Sequence, residues 1–113
     1  MQEAEKQILT YYVIHKGATQ TITFELPLEE TEQISCARLA FERDDEVVLR
    51  KTEKDSTIEG NVVSVHLSQE DTFVFDCDTF YLMQLRIKLA NGQVLKTDPF
   101  RVLADKCLDE EVI

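Results

Sequence analysis

Tyr81, Met83, Leu85, Ile87 and Leu89 stand at every second position of one run, with Gln84, Arg86 and Lys88 between them. A helical turn would scatter these residues around its axis, whereas an extended chain puts all five on one face. This stretch is therefore a half-buried strand, and its apolar face demands a second layer. It closes in Asn91-Gly92, a dipeptide that tolerates the two positive φ angles of a type I′ turn, so Val94 to Thr97 is expected to return as its hairpin partner. Two strands alone are marginal in water, and the rest of the chain must supply the remaining sheet.

The three glycines, Gly17, Gly60 and Gly92, and the two prolines, Pro27 and Pro99, fall between β-like runs and never inside one. There they punctuate strands. Ile8 to Ile14 is β-branched and aromatic; after the Lys16-Gly17 turn, Ile22, Phe24 and Leu26 alternate with polar residues up to Pro27. A polar loop, Glu29 to Gln33, leads to Ile34–Arg43, with Ala37, Leu39 and Phe41 on one face and Arg38, Ala40 and Glu42 on the other. Arg43-Asp44-Asp45-Glu46 reads as a turn, and Val47 to Thr52 as the returning strand with Val47 and Leu49 inward. An edge-like piece at Thr57–Glu59 and the Gly60-Asn61 turn precede Val62 to Leu67, whose inward residues are Val63, Val65 and Leu67. Ser68, three residues before Asp71, forms a capping-box variant for a single helical turn, with Phe73 and Phe75 anchoring it to the core. Beyond Pro99, Phe100 and Val102 open a last short strand.

Seven to eight short strands with one short helical turn predict an all-β fold, an antiparallel immunoglobulin-like β-sandwich. The Cys–Trp–Cys core of antibody domains is absent, since the chain has no tryptophan. Its 113 residues suit one domain, 1–113, with residues 1–7 expected to be disordered and 107–113 forming a C-terminal tail.

Charge narrows the partners. With 22 acidic and 12 basic side chains the net charge is −10, which repels phosphate backbones and anionic lipid and argues against nucleic acid or a membrane as partner. No apolar run approaches the roughly 20 residues that span a bilayer. The N-terminus lacks the basic start and apolar stretch of a signal peptide, so a cytoplasmic protein is expected. The odd cysteine count, Cys36, Cys77 and Cys107, fits a reducing compartment as well.

Candidates for chemistry are weak. His66 alternates with Val65 and Leu67 and points to solvent; a base-and-nucleophile reading with Ser64 or Ser68 lacks any G-x-S-x-G elbow or oxyanion loop. The cysteines are too far apart in sequence for a local zinc motif, and read as free thiols ahead of a Cys36–Cys77 or Cys77–Cys107 bridge. Asp76-Cys77-Asp78 near Asp71 lacks the glycine and terminal glutamate of a calcium loop, and reads as a solvated acidic loop, like the Asp44-Asp45-Glu46 tip. No cofactor, metal or catalytic residue is assigned. Asp109-Glu110-Glu111-Val112-Ile113, three acids followed by two apolar residues, reads either as a solvated tail or as a docking segment that adds to a partner. Tyr11 and Tyr12, if extended, face opposite ways, which makes one of them, Tyr12 by choice, a candidate surface aromatic.

The order of these motifs from Thr21 to Ile113 resembles a group of small phage and prophage proteins of low-GC Gram-positive bacteria, encoded among virion morphogenesis genes. The resemblance is carried by Val65-His66-Leu67-Ser68-Gln69-Glu70-Asp71-Thr72-Phe73, close to V-x-L-T/S-Q-E-E/D-T, and by Met83-Gln84-Leu85-Arg86, close to I-Q-V-R. The Asn91-Gly92 turn and the closing Cys107-Leu108-Asp109-Glu110-Glu111-Val112-Ile113 fit as well. The chain is also similar to the immunoglobulin-like modules of baseplate proteins. The resemblance implies a non-enzymatic virion, tail or baseplate accessory that contacts other virion proteins or copies of itself. It would be made in the host cytoplasm and then pass into the particle. The alternative is a non-catalytic immunoglobulin-like module binding carbohydrate or a host surface through Tyr11 or Tyr12.

Overall fold

The computed structural model describes residues 11–113, so the strand expected over Ile8–Ile14 is described from Tyr11 onward and residues 1–7 lie outside. Strands β1 (Tyr12–Ile14), β2 (Gln20–Glu25), β3 (Ile34–Arg43), β4 (Glu46–Thr52), β5 (Ser56–Glu59) and β6 (Val62–Leu67) lead to a short helix, α1 (Gln69–Phe73). Strands β7 (Thr79–Leu89), β8 (Val94–Lys96) and β9 (Phe100–Ala104) complete the chain. The larger sheet runs β1-β9-β7-β3-β4, with β8 also paired to β7, and the smaller runs β2-β6-β5.

This order is that of an immunoglobulin-like sandwich. Strands β2, β6 and β5 take the places of B, E and D, while β3, β4, β7 and β8–β9 take those of C, C′, F and G, the layout of a variable-type domain. The apolar faces read from the period-two pattern meet between the layers. Ala37, Leu39 and Phe41 of β3, Val63, Val65 and Leu67 of β6, and Tyr81, Met83, Leu85, Ile87 and Leu89 of β7 are all buried. Ile14, Ile22, Phe75, Val102 and Ala104 close the core around them.

Without a tryptophan or an inter-sheet disulfide, aromatic stacking takes over the centre. Phe75 meets Phe41 and Tyr81 edge to face at 5.1 and 4.9 Å, geometry favoured by the ring quadrupoles. The Tyr81 hydroxyl accepts the Asp76 amide at 2.7 Å. That is the tyrosine corner of immunoglobulin domains, and Met83, two residues on, stands where antibody domains carry their second cysteine.

Several expectations need correction. Nine strands are present among the described residues, where seven to eight were expected; Val94–Lys96 and Phe100–Ala104 are separate strands on either side of Pro99, as the sequence indicates. Proline has no amide hydrogen to extend the ladder, and Thr97 bridges the gap: its amide donates to Leu85 O and its hydroxyl accepts the Leu85 amide. The pairing is antiparallel except for β1, which lies parallel to β9. The Asn91-Gly92 turn is not type I′. Gly92 alone has positive φ (93°) there; the loop is Ala90-Asn91-Gly92, with Gly92 N–H donating to Leu89 O and Leu89 N–H to Gln93 O. Three loop residues favour a type I turn followed by a left-handed glycine. The I′ signature falls instead at the acidic tip, where Asp44 and Asp45 have φ of 53° and 66°. Val47 is exposed because a bulge between Phe41 and Glu42 sets Leu49 opposite the inward Phe41 but Val47 opposite Glu42, on the outer face. In α1 the buried residue is Thr72, not Phe73, which is half-buried.

Candidate interaction surface

Two capping boxes fix the lower rim. Ser68 Oγ accepts the Asp71 amide at 3.0 Å and the Asp71 carboxylate accepts the Ser68 amide at 2.8 Å, as the sequence pattern requires. The second is not among the sequence-based expectations, although Thr52 and Asp55 carry the same spacing: Asp55 accepts the Thr52 amide at 3.0 Å and caps a 3-10 turn over Glu53–Asp55. Lys51 joins the two, its Nζ 2.5 Å from Asp71 and 3.7 Å from Asp55, with only 12% of its side chain exposed. Desolvation is the largest influence on the Asp71 carboxyl and raises its pKa, but the hydrogen bonds from Lys51 and Ser68 together with the lysine charge hold it below the usual carboxylate range.

The closing segment folds back onto this rim. Lys16 Nζ pairs with Glu110 at 3.2 Å, the lysine side chain being 9% exposed. Gln69 donates to Gly17 O through Nε2 and accepts the Ile113 amide at 3.0 Å through Oε1, so one side chain clasps both the Gly17 loop and the tail. Gly17 has φ +88°, and a Cβ there would sit 2.7 Å from Cys107 Sγ; its amide donates to the buried Thr72 hydroxyl. Asp105 seals the approach by accepting the Lys16 amide and lying 2.9 Å from His15 Nδ1. Desolvation raises the Asp105 pKa, but those two partners outweigh it and keep the carboxyl low. The tail's backbone and Glu110 are thus tied down while its apolar side chains are not: Leu108 is 91% exposed, and Val112 and Ile113 also face solvent. Asp109 accepts the Glu111 amide in a local turn.

Of the remaining candidates, Tyr12 is half-buried against the core, its hydroxyl 3.4 Å from Gln20 Nε2, and Tyr11 meets Phe80 edge-on at 5.5 Å. His66 is exposed, with Nδ1 3.1 Å from Thr21 Oγ1 and Nε2 2.9 Å from Thr57 Oγ1; its imidazole engages two threonines rather than Ser64 or Ser68. It borders an open hollow of about 670 Å³ shared with Lys51, Lys54 and Asp55. The three cysteines are free thiols, and among the described residues no three His, Cys, Asp or Glu side chains gather as a metal site would need. No helix among them is long and apolar enough to cross a membrane.

The outer face of the larger sheet carries an uneven distribution of charge. Cross-strand partners share a face, so Arg38, Arg86 and Lys96 form one row across β3, β7 and β8, with Lys88 in the next row and Arg50 opposite Ala40. Farther down the same face Leu82 lies opposite Arg101, and Phe80 opposite Leu103; Phe80 and Leu82 are 42% and 41% exposed. The Arg101 guanidinium stacks 4.3 Å from the Phe80 ring. Glu42 lies beside Leu82, and Glu53 engages Arg38. Among the described residues Arg50, Arg86, Lys88 and Lys96 enter no ion pair.

No known family matches the chain, and no curated protein matches it. Among solved structures it is similar to the V domain of amphioxus IgVJ-C2, at 9% identity and a TM-score of 0.33, over 83% of this chain and 99% of that one. The fold assignment rests on the strand order itself.

Proposed function

We propose that this chain is a non-catalytic interaction module, a phage or prophage accessory of the tail or baseplate that works through contacts with other virion proteins or with copies of itself. The observation that carries the reading is the closing segment. Lys16 and Gln69 hold Glu110 and the Ile113 amide while Leu108, Val112 and Ile113 are left in solvent. An apolar group kept exposed on an anchored backbone loses little entropy when a partner covers it. The larger sheet also ends in an uncovered strand, β4, whose Val47 and Val48 are exposed, and such edges pair readily with another chain. The virion assignment draws on the resemblance of the Val65–Phe73 and Met83–Arg86 motifs.

Mass spectrometry of particles purified after induction of the parent prophage tests this reading: the protein should be present at a stoichiometry repeated between preparations. Absence from particles would overturn the virion assignment. A tagged chain lacking Leu108–Ile113 should also lose its partners in a pull-down that the full chain makes. The ligand-binding alternative, which relied on Tyr11 or Tyr12, has less aromatic surface to use, because both rings are packed against neighbours. A glycan-array signal abolished by Tyr12→Ala would favour it over the assembly reading.

A further inference from the structure

We infer that the outer face of the larger sheet is a receptor for the closing segment, Leu108–Ile113, of a second copy of this chain, so that copies associate face to tail. The inference deepens the assembly reading by naming the partner.

The basic row is costly where it stands. Like charges directly opposite each other in a sheet destabilise it, yet Arg86 and Lys96 lie side by side with no ion pair among the described residues, next to Arg38, which Glu53 engages, in a chain with 22 acidic residues. The face changes character along β7, from cations at Arg86 and Lys88 to exposed Leu82 and Phe80. The tail has the same two-part character, Asp109-Glu110-Glu111 and then Val112-Ile113. Presented from its anchors at Lys16 and Gln69, the tail offers carboxylates to the Arg38–Arg86–Lys96 row and its exposed apolar side chains Val112 and Ile113 to Leu82 and Phe80.

The contact forms between copies. Each tail is anchored at Lys16 and Gln69, on the rim where β7 begins. Arg86 lies seven residues along that strand from Thr79, about 24 Å away. A surface that receives a different surface of its neighbour makes a head-to-tail contact, which closes into a ring or extends as a filament.

Light scattering on a concentration series, combined with charge reversal, tests the inference. The full chain should self-associate, and two variants should each be monomeric: Arg86→Glu with Lys96→Glu, and Asp109→Lys with Glu110→Lys and Glu111→Lys. Mixing the two variants makes both tail-on-face pairings complementary, the acidic tail of the first on the basic face of the second and the basic tail of the second on the acidic face of the first, and should give oligomers in which the two alternate. In fluorescence anisotropy, a labelled Leu108–Ile113 peptide should bind the tail-deleted protein, at least tenfold more weakly after Arg86→Glu and progressively more weakly as salt rises. A tail-deleted protein that scatters like the full chain overturns the inference. So does a full chain that stays monomeric and leaves the peptide unbound, or a peptide that binds Arg86→Glu as well as the parent. Peptide binding by a protein absent from particles would uphold the contact and remove the virion reading; particle incorporation without peptide binding would do the reverse.

Discussion

Tyr81 serves two parts of the molecule at once, its ring in the aromatic cluster with Phe75 and its hydroxyl on the Asp76 amide. Tyr81→Phe keeps the ring but leaves a half-buried amide without its acceptor, a loss of about 1–3 kcal/mol. Urea unfolding should show a lower midpoint at an unchanged slope; an unchanged midpoint would mean that water replaces the hydroxyl at no cost. At Gly17 two constraints coincide, a left-handed φ and a Cβ direction blocked by Cys107 Sγ. Gly17→Ala should destabilise by about 1–2 kcal/mol from the backbone term alone, and it should also push Cys107 and the tail away. Faster alkylation of Cys107 in the variant than in the parent would report that displacement. The sequence marked Gly17 only as a turn; its closeness to Cys107 depends on how the chain ends pack, which no local pattern encodes.

At the level of elements, strand faces were legible and their neighbours were not. Burial follows period two, so the inward residues of β3, β6 and β7 could be read directly. Register, by contrast, depends on loop length: three residues rather than two at Asn91-Gly92 changed the turn type. The basic row was hidden for the same reason, since Arg38 and Arg86 are 48 positions apart in the sequence and only the β3–β7 pairing makes them neighbours. That row predicts a stabilising substitution. Arg86→Thr removes like-charge pairs on both sides and places a β-branched residue in a strand, a gain of about 0.2–1 kcal/mol; loss of stability would show that the arginine stem packs favourably along the face. Two hydrogen-bonded carboxylates, one in a capping box and one at the Lys16 loop, make a pH prediction. Asp71 and Asp105 have folded-state pKa values lowered beneath their unfolded ones. Their contribution is therefore complete above the unfolded pKa and is lost as pH falls through the folded one, in the region below about pH 4. Lys51→Met deprives Asp71 of its charged partner and should move the acid transition, followed by circular dichroism, to higher pH. An unmoved transition would place the acid sensitivity in other carboxylates.

Across the whole molecule the charge that first argued against nucleic acid and membranes becomes a term in stability. A net charge of −10 on a domain this small pushes the folded state apart, because compaction brings the excess carboxylates closer together. Several local ion pairs oppose that repulsion, among them Lys16–Glu110, Arg43–Asp76 and Lys51–Asp71. Salt acts on the two with opposite sign. Raising the ionic strength from 10 to 150 mM shortens the Debye length from about 30 to about 8 Å, which weakens long-range repulsion strongly and contacts near 3 Å far less. Exposed pairs contribute only about 0–1 kcal/mol each to begin with, and the repulsion within the Arg38–Arg86–Lys96 row is relieved by the same ions. Repulsion therefore dominates, and Tm at neutral pH should rise by several degrees over this range, with 1 kcal/mol corresponding to about 4–8 °C in a domain of this size. The tail-deleted chain, which loses three carboxylates and one lysine partner, should rise less. A Tm that falls with salt in both proteins would mean that the half-buried pairs at Lys16 and Lys51 outweigh the net charge, and that the acidic surface is held together by its few cations rather than strained by its many anions.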